Sequence, residues 1–205
     1  LNVLATIDTP TTGDIYIEND NLTDMEEEKL ADFRRDHLGF IFQDYHLLDS
    51  LTVRENILLP LAVAKKSVTD IEQRVETIAK AFEIDTLLDK YPYQTSGGQK
   101  QRTAASRALV SDPKIVFADE PTGALDSKSA ALLLEKLSTL NERHTTTIMM
   151  VTHDAFAASF CRRILFIKDG QIDKELFRAN QSRKAFFHKI LDEWAHIGGE
   201  VDDVI

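Results

Sequence analysis

A short apolar run that ends at two adjacent carboxylates constrains this chain more than any other feature. Residues 115–118, Ile-Val-Phe-Ala, lead directly into Asp119 and Glu120, and Pro121 then turns the chain. Four apolar residues bounded by a turn are typical of a buried strand in a parallel sheet, and ligands bind at the carboxyl ends of such strands. We therefore expect the acid pair, Asp119 and Glu120, at the ligand-binding edge of an α/β sheet.

The two acids suit different tasks. Asp119 is placed to hold Mg²⁺, directly or through water, because magnesium prefers one or two carboxylates together with phosphate oxygens. Glu120 is the better candidate to orient and deprotonate a water molecule. An Asp-Glu pair by itself is more often a solvated acidic turn, and it is the apolar run before the pair that favours a catalytic site.

A helix start precedes the acid pair. Ser96 can cap a helix that runs from about Gln99 to Leu109. Gly97 and Gly98 leave the first backbone N–H groups uncovered, so an anion can approach without a Cβ in the way. The positive end of the helix dipole favours a phosphate at this position. A capped helix with a flexible entry explains the same residues about equally well.

Together these segments resemble the ATP-binding-cassette (ABC) ATPases. Residues 95–102, Thr-Ser-Gly-Gly-Gln-Lys-Gln-Arg, resemble the signature motif of that family, and residues 115–120 resemble its Walker B strand with the catalytic glutamate. Residues 123–126, Gly-Ala-Leu-Asp, are similar to its D-loop. Thr95 stands where the family usually has leucine. Because Thr95 precedes the phosphate-facing positions, we expect this departure to have a mild effect.

Two further polar residues follow predicted strands. Gln43 follows the apolar residues 38–42, and His153 follows residues 145–151, which we predict to form a buried, β-branched strand. Alone, Gln43 could simply solvate a loop and His153 could be a satisfied loop histidine. Since both follow strands, we expect them at the same edge as the acid pair. The resemblance implies that Gln43 reaches Mg²⁺ and the attacking water, and that His153 contacts the γ-phosphate of ATP.

The P-loop of the resembled family, G-x-x-x-x-G-K-[ST], is absent from the 205 residues. None of the eight glycines is followed by Lys-Ser or Lys-Thr. The chain begins with Leu1 rather than methionine, and residues 1–5 look like the end of a helix, so we expect the sequence to start inside a longer protein. The 205-residue chain is therefore expected to be unable to hydrolyse ATP, whereas a parent protein with a P-loop is expected to do so.

The predicted fold is a single α/β ABC ATPase domain over residues 1–205, with a P-loop NTPase-like, mostly parallel sheet and helices on both faces. An α-helical subdomain is expected at about residues 44–111, with a capping box at residues 69–72. Asp-Gly at residues 169–170 predicts a hairpin and hence a small antiparallel piece. A C-terminal helical tail over about residues 180–205 is amphipathic, and packing against the domain explains it better than docking to a partner.

Composition limits the partners of the chain. The formal net charge of −10 at pH 7 argues against non-specific binding to nucleic acid or to anionic membrane surfaces. No apolar run approaches the length of a membrane span, so a role at a membrane would need spans on another chain. The single cysteine, Cys161, excludes an internal disulfide and fits a reducing compartment.

The resemblance also implies an assembly. Members of this family work as head-to-tail pairs in which ATP lies between the P-loop of one subunit and the signature motif of the other. Ser96, Gly97, Gly98 and Gln99 would then act in trans, and Asp126 would touch the opposite subunit of what we expect to be a homodimer. The resemblance implies a cytoplasmic subunit, peripheral on the inner face of the cell membrane, that drives a transmembrane permease. Residues 186–192 resemble the tail of bacitracin-type exporter ATPases, which implies export of, or resistance to, peptides or lipids.

Two alternative functions stay open. A truncated or degenerate ABC subunit without hydrolysis would serve as a dimerisation and binding module. A soluble ABC ATPase would act on DNA ends or ribosomes. DNA-end ATPases carry a very long coiled coil between the glutamine and the signature motif, whereas only one helical subdomain separates Gln43 from Ser96 here. Ribosomal relatives carry two cassettes in tandem, and the net acidity weakly disfavours both soluble classes.

Overall fold

A computed structural model describes residues 1–143 and 146–198 as two compact units, Leu1–Val151 and the residues from Thr152 onward. The strands are β1 (Tyr16–Ile17), β2 (Asp20–Asn21), β3 (Leu38–Ile41), β4 (Ile115–Asp119), β5 (Thr147–Val151), β6 (Arg163–Lys168) and β7 (Gln171–Phe177). The helices are α1 (Glu27–His37), α2 (Val53–Val63), α3 (Val68–Ala81), α4 (Gly97–Leu109), α5 (Ser127–Arg143), α6 (Ala155–Ala158) and α7 (Arg183–Gly198). None of the helices described is both long and apolar enough to cross a membrane.

The central sheet of the first unit has the strand order β3-β4-β5, and both pairs are parallel. The register places Ile41 opposite Ala118 and Asp119 opposite Val151, so the three strands end at one edge. This parallel sheet was predicted from the sequence and is confirmed. The prediction that β5 is buried is wrong, since Val151 is 44% exposed and β5 pairs only with β4 among the residues described. The predicted strand also included Thr145, which lies outside the described residues.

Helices cover this sheet because their apolar residues recur at helical spacing. The larger core packs β3 and β4 against the helices α2 to α5. On α3 the fully buried residues are Val75 and Ala79, and Phe82 follows them at the C-cap. A smaller cluster on Phe33, Leu38 and Phe117 packs α1 against the sheet together with the short β1–β2 pair. The helices that lie between β3 and β4 in the sequence are therefore α2, α3 and α4.

Two local predictions need correction. Helix α3 begins at Val68, because the Ser67 hydroxyl accepts a hydrogen bond from the Asp70 N–H and caps the helix two residues before the predicted cap. The capping box predicted at residues 69–72 is therefore wrong. Helix α4 begins at Gly97, earlier than the predicted start near Gln99. The predicted helix end at residues 1–5 agrees with the structure: the Ala5 N–H donates to the Leu1 carbonyl at 2.9 Å, as in an α-helix. The Thr6 and Ile7 N–H groups donate back to the Val3 and Asn2 carbonyls, and Thr6 has a φ of 57°, as at a helix C-terminus.

The second unit contains the predicted hairpin. Strands β6 and β7 pair antiparallel around Asp169 and Gly170, whose φ angles of 50° and 76° are those of a tight hairpin turn. Helix α7 buries Phe186 and Ile190 in the core of this unit, so the predicted packing of its apolar face is confirmed there. Its Trp194 is 36% exposed, and the side chain of Ile197 lies outside the described residues.

Candidate functional site

Strand ends position the acid pair. Asp119 is the last residue of β4, and Glu120 follows it at once. The Glu120 N–H donates to the Val151 carbonyl at 2.9 Å, which ties the first residue after β4 to the end of β5. Glu120 has a φ of 43°, a left-handed conformation that is sterically costly for a residue with a side chain. The chain thus leaves the sheet sharply at Glu120, and both carboxylates are only partly buried.

The structure brings Gln43 to the loop that follows the acid pair. A Cβ built on Gly123 would lie 3.1 Å from both Cδ and Nε2 of Gln43, so the amide of Gln43 rests against the bare backbone of Gly123. The Gly123 N–H in turn donates to the Glu120 carbonyl at 3.0 Å. Carboxylate and amide oxygens are ligand types that Mg²⁺ accepts, so Asp119 and Gln43 have the kinds of donor that such an ion needs.

The signature turn, residues 96–99, is a complete capping box. The Ser96 N–H donates to Gln99 Oε1 at 2.9 Å, and the Gln99 N–H donates to Ser96 Oγ at 3.3 Å. Ser96 itself is exposed. The first turn of α4 therefore presents its hydroxyl and its positive helix end to the outside, as an anion-binding helix start requires.

The two glycines of the signature turn have different neighbours. A Cβ on Gly98 would lie 2.6 Å from Ser129 Oγ and 2.8 Å from Ser129 Cβ, so glycine permits α4 to pack closely on the start of α5. A Cβ on Gly97 would instead lie 3.0 Å from the hydroxyl of Tyr45, at the tip of that side chain. The sequence explained both glycines by open access for an anion. The structure adds a second reason at Gly98, which is its close packing on Ser129.

Asp126 caps helix α5. Its Oδ1 accepts hydrogen bonds from the N–H groups of Lys128 and Ser129, both at 3.0 Å, and its Oδ2 accepts from the Ser129 hydroxyl at 2.7 Å. The hydrogen bonds from Ser129 hold the pKa of the Asp126 carboxyl below its ordinary value. Because Ser129 also contacts Gly98, the cap connects the D-loop-like segment to the first turn of α4.

His153 belongs to the second unit. It follows the last residue of β5 by two positions in the chain, at an exposed site. The next residue, Asp154, caps α6, because its Oδ1 accepts the Phe156 N–H at 2.8 Å. The role of His153 toward the acid pair, which belongs to the first unit, stays a prediction.

Sequence reasoning missed two residues of α4 that contact these loops. Gln101 is fully buried, and its Nε2 donates to the carbonyls of Phe42 at 3.1 Å and Pro121 at 2.7 Å. Arg107 donates through Nη1 to the His46 carbonyl at 2.6 Å and through Nη2 to the Tyr45 carbonyl at 2.9 Å. For Gln101 a signal was present, since it lies on the same helical stripe as the buried alanines 104, 105 and 108.

The structure also shows the contacts of Thr95 and the burial of Cys161, two residues noted in the sequence. The Thr95 hydroxyl donates to the Pro92 carbonyl at 2.7 Å, so the residue that replaces the usual leucine closes a local turn. Burial raises the pKa of the Cys161 thiol to about 11. The thiol is therefore protonated at neutral pH and is not a candidate nucleophile.

With this geometry established, comparison with known proteins identifies the family. Residues 1–123 match the family model described as ABC transporter. Over 203 residues the chain is 52% identical to the bacitracin export ATP-binding protein BceA of Halalkalibacterium halodurans, an alignment that covers 99% of this chain and 80% of that protein. The chain belongs to the ABC transporter family.

Two other members of the ABC transporter family also match most of this chain. The macrolide export ATP-binding/permease protein MacB of Campylobacter jejuni is 41% identical over 172 residues, which are 84% of this chain and 27% of that protein. Among solved structures, the dimeric post-hydrolysis state of the cassette MJ0796 from Methanocaldococcus jannaschii, bound to ADP and Pi, superposes with a TM-score of 0.77 at 39% identity. That match covers 86% of this chain and 78% of the other. The predicted α/β, P-loop NTPase-like fold is confirmed.

Proposed function

We propose that this chain is part of an ATP-hydrolysing subunit that drives an exporter of peptides or lipids through a transmembrane permease. The observation that carries this proposal is the position of Gln43, whose amide lies against Gly123, one hydrogen bond away from the residue that would activate water. Two relatives named as bacitracin and macrolide export proteins support the transport role.

The residues at the sheet edge divide the chemistry among themselves. Glu120 would accept a proton from the attacking water, because its carboxylate follows the central strand directly. Asp119 and Gln43 would hold Mg²⁺, which supplies charge neutralisation on the phosphate oxygens when it is bound. His153 would contact the γ-phosphate and help to orient the water.

The other half of the site would come from a second copy. In a head-to-tail homodimer, Ser96, Gly97, Gly98 and Gln99 of one subunit would face the triphosphate held by the other, where the start of α4 favours negative charge. Asp126 would lie near the opposite subunit and couple the two sites. The dimeric state of the related MJ0796 cassette supports the pairing.

Hydrolysis also needs a P-loop, whose sequence pattern does not occur in the 205 residues. We therefore propose that the chain alone does not hydrolyse ATP, and that a protein carrying a P-loop before it does. In that protein, residues 44–111 would form the helical subdomain, residues 180–205 would form the tail, and the subunit would lie on the cytoplasmic face of the membrane. A second candidate is a hydrolysis-incompetent dimerisation module, which the dimeric state of the related MJ0796 cassette also supports.

Substitution of Glu120 separates these two functions. In the protein with a P-loop, Glu120→Gln should lower kcat for ATP hydrolysis by about 10²–10⁴-fold, the usual contribution of a general base, and should leave ATP binding intact. Steady-state phosphate release and nucleotide-binding titrations would measure the two effects.

The matched control is Glu28→Gln, which makes the same change at an exposed position of α1 and should leave both quantities unchanged. Near-normal turnover of Glu120→Gln would overturn the role assigned to Glu120. Absence of hydrolysis in the unmodified protein would favour the dimerisation module.

A further inference from the structure

The segment that carries Gln43 has an unusual backbone. Tyr45 and His46 are consecutive residues with φ angles of 62° and 46°, in the left-handed region that residues with a side chain rarely adopt. Such conformations persist only where the surroundings enforce them, and they cluster at functional sites. The glutamine segment, residues 42–46, therefore needs a contact that holds this turn.

Arg107 supplies that contact. Its two terminal nitrogens donate to the two successive carbonyls of the turn, Tyr45 and His46, from a helix 61 residues further along the chain. Burial lowers the pKa of the Arg107 guanidinium, and no neighbouring carboxylate contributes to that shift. A partly buried cation loses some of its hydration, and hydrogen bonds compensate for the lost water. Here the two terminal nitrogens of the guanidinium donate hydrogen bonds to two backbone carbonyls of the strained turn.

The same helix holds the other end of the glutamine segment. The buried amide of Gln101 donates to the Phe42 carbonyl and also to the Pro121 carbonyl, just after the acid pair. Helix α4 therefore contacts the glutamine segment on both sides of Gln43. The same segment reaches back to the start of α4, where the Tyr45 hydroxyl lies beside Gly97.

We propose that Arg107 is a positioning residue, which holds the left-handed turn at Tyr45 and His46 and thereby keeps Gln43 against Gly123. Because α4 begins at the signature turn, a nucleotide bound at residues 96–99 would be connected to Gln43 through one continuous helix. The connection between a bound nucleotide and Gln43 rests on the proposed function, whereas the positioning of the turn by Arg107 does not.

The variant Arg107→Lys tests whether the turn needs two donor nitrogens in the fixed geometry of a guanidinium. Lysine keeps the positive charge but is a point donor, which cannot bridge two carbonyls as the planar guanidinium does. In the 205-residue chain, we expect the amides of residues 44–48 to exchange hydrogen about 10-fold faster or more, because their bracing opens locally. In the protein with a P-loop, we expect kcat to fall by roughly 10–100-fold through misplacement of Gln43, with KM for ATP close to its original value.

The matched control is Arg74→Lys, since Arg74 also bridges two partners, Asp70 and Asp112, and none of its hydrogen bonds reaches the glutamine segment. It should leave the exchange of residues 44–48 and kcat unchanged. A second variant, Arg107→Gln, removes the charge and should show the same local exchange. If Arg107→Lys behaves like the original protein and only Arg107→Gln is affected, charge matters rather than the fixed geometry of the two donors, and the proposal is wrong.

Three other outcomes are decisive. Faster exchange spread over the whole chain would show that Arg107 only stabilises the fold, which contradicts the positional role. Faster exchange confined to residues 44–48 with unchanged kcat would contradict its importance for hydrolysis. If the unmodified protein with its P-loop hydrolyses no ATP, the proposed function fails, and the exchange comparison still decides whether Arg107 positions the turn.

Discussion

The signature turn and the glutamine segment are held in opposite ways. In the signature turn, two reciprocal hydrogen bonds join Ser96 and Gln99, which are three residues apart. In the glutamine segment, the carbonyls of Tyr45 and His46 accept hydrogen bonds from Arg107, 62 and 61 residues away. The signature turn is closed by its own neighbours, whereas the glutamine segment combines local backbone hydrogen bonds with bonds from a side chain of α4.

This difference separates local from distributed effects. A change within the signature turn should cost helix stability near Ser96 and little else, because its bonds close on themselves. A change in the contacts of the glutamine segment should reach the acid pair, because Gln101 and Gly123 connect the two loops. The variants of Arg107 described above test the distributed case, and among the variants that test this comparison they carry the largest expected effect. The variants that follow test which residues of the signature turn have only local effects.

The larger of the remaining effects is expected at Gly98, where the local turn meets α5. Because an added Cβ would lie 2.6 Å from Ser129 Oγ, Gly98→Ala should overpack the contact and lower the free energy of unfolding by about 1–3 kcal/mol. Gly97→Ala should cost less, since its Cβ meets only the tip of the Tyr45 side chain at 3.0 Å. Urea unfolding of both variants would measure the difference.

The double variant Gly98→Ala/Ser129→Gly is the control for that mechanism. Removing the Ser129 side chain relieves the overlap, so the second substitution should cost less in the Gly98→Ala background than on its own. Equal losses of stability for Gly97→Ala and Gly98→Ala would contradict the packing role of Gly98. The signature turn would then be local throughout.

A smaller effect is expected at Ser96. Ser96→Ala removes the cap of α4 and should lower the free energy of unfolding by about 1 kcal/mol, the typical cost of losing an N-cap. Ser67→Ala removes the comparable cap of α3, a helix that carries none of the candidate site residues, and should cost a similar amount. Urea unfolding measures both losses, and hydrogen exchange at residues 44–48 should stay unchanged in both variants. Faster exchange there in Ser96→Ala would break the distinction between a local and a distributed turn.

Much of the site could be predicted from the sequence because its signals are local. The apolar run before Asp119, the serine and glycines at the start of α4, and the Asp-Gly hairpin each lie within a few residues of what they encode. The parallel order of the sheet places successive strand ends at one edge, so the neighbourhood of Gln43 and the acid pair also followed.

The rest depended on contacts between distant residues. No local pattern indicates that Arg107 binds the carbonyls of Tyr45 and His46, or that Gly98 packs on Ser129. The capping-box pattern of residues 69–72 predicts the cap of α3 at Thr69, whereas Ser67, which is also a good N-cap, caps the helix in the structure.

The most direct test of the proposed function is the dependence of hydrolysis on protein concentration. If each triphosphate lies between one subunit and Ser96 of another, the specific ATPase activity of the protein with its P-loop should rise with concentration until dimers saturate, in parallel with ATP-dependent dimer formation measured by mass photometry. A specific activity that stays constant down to concentrations where only monomers are present would contradict a site completed by a second copy.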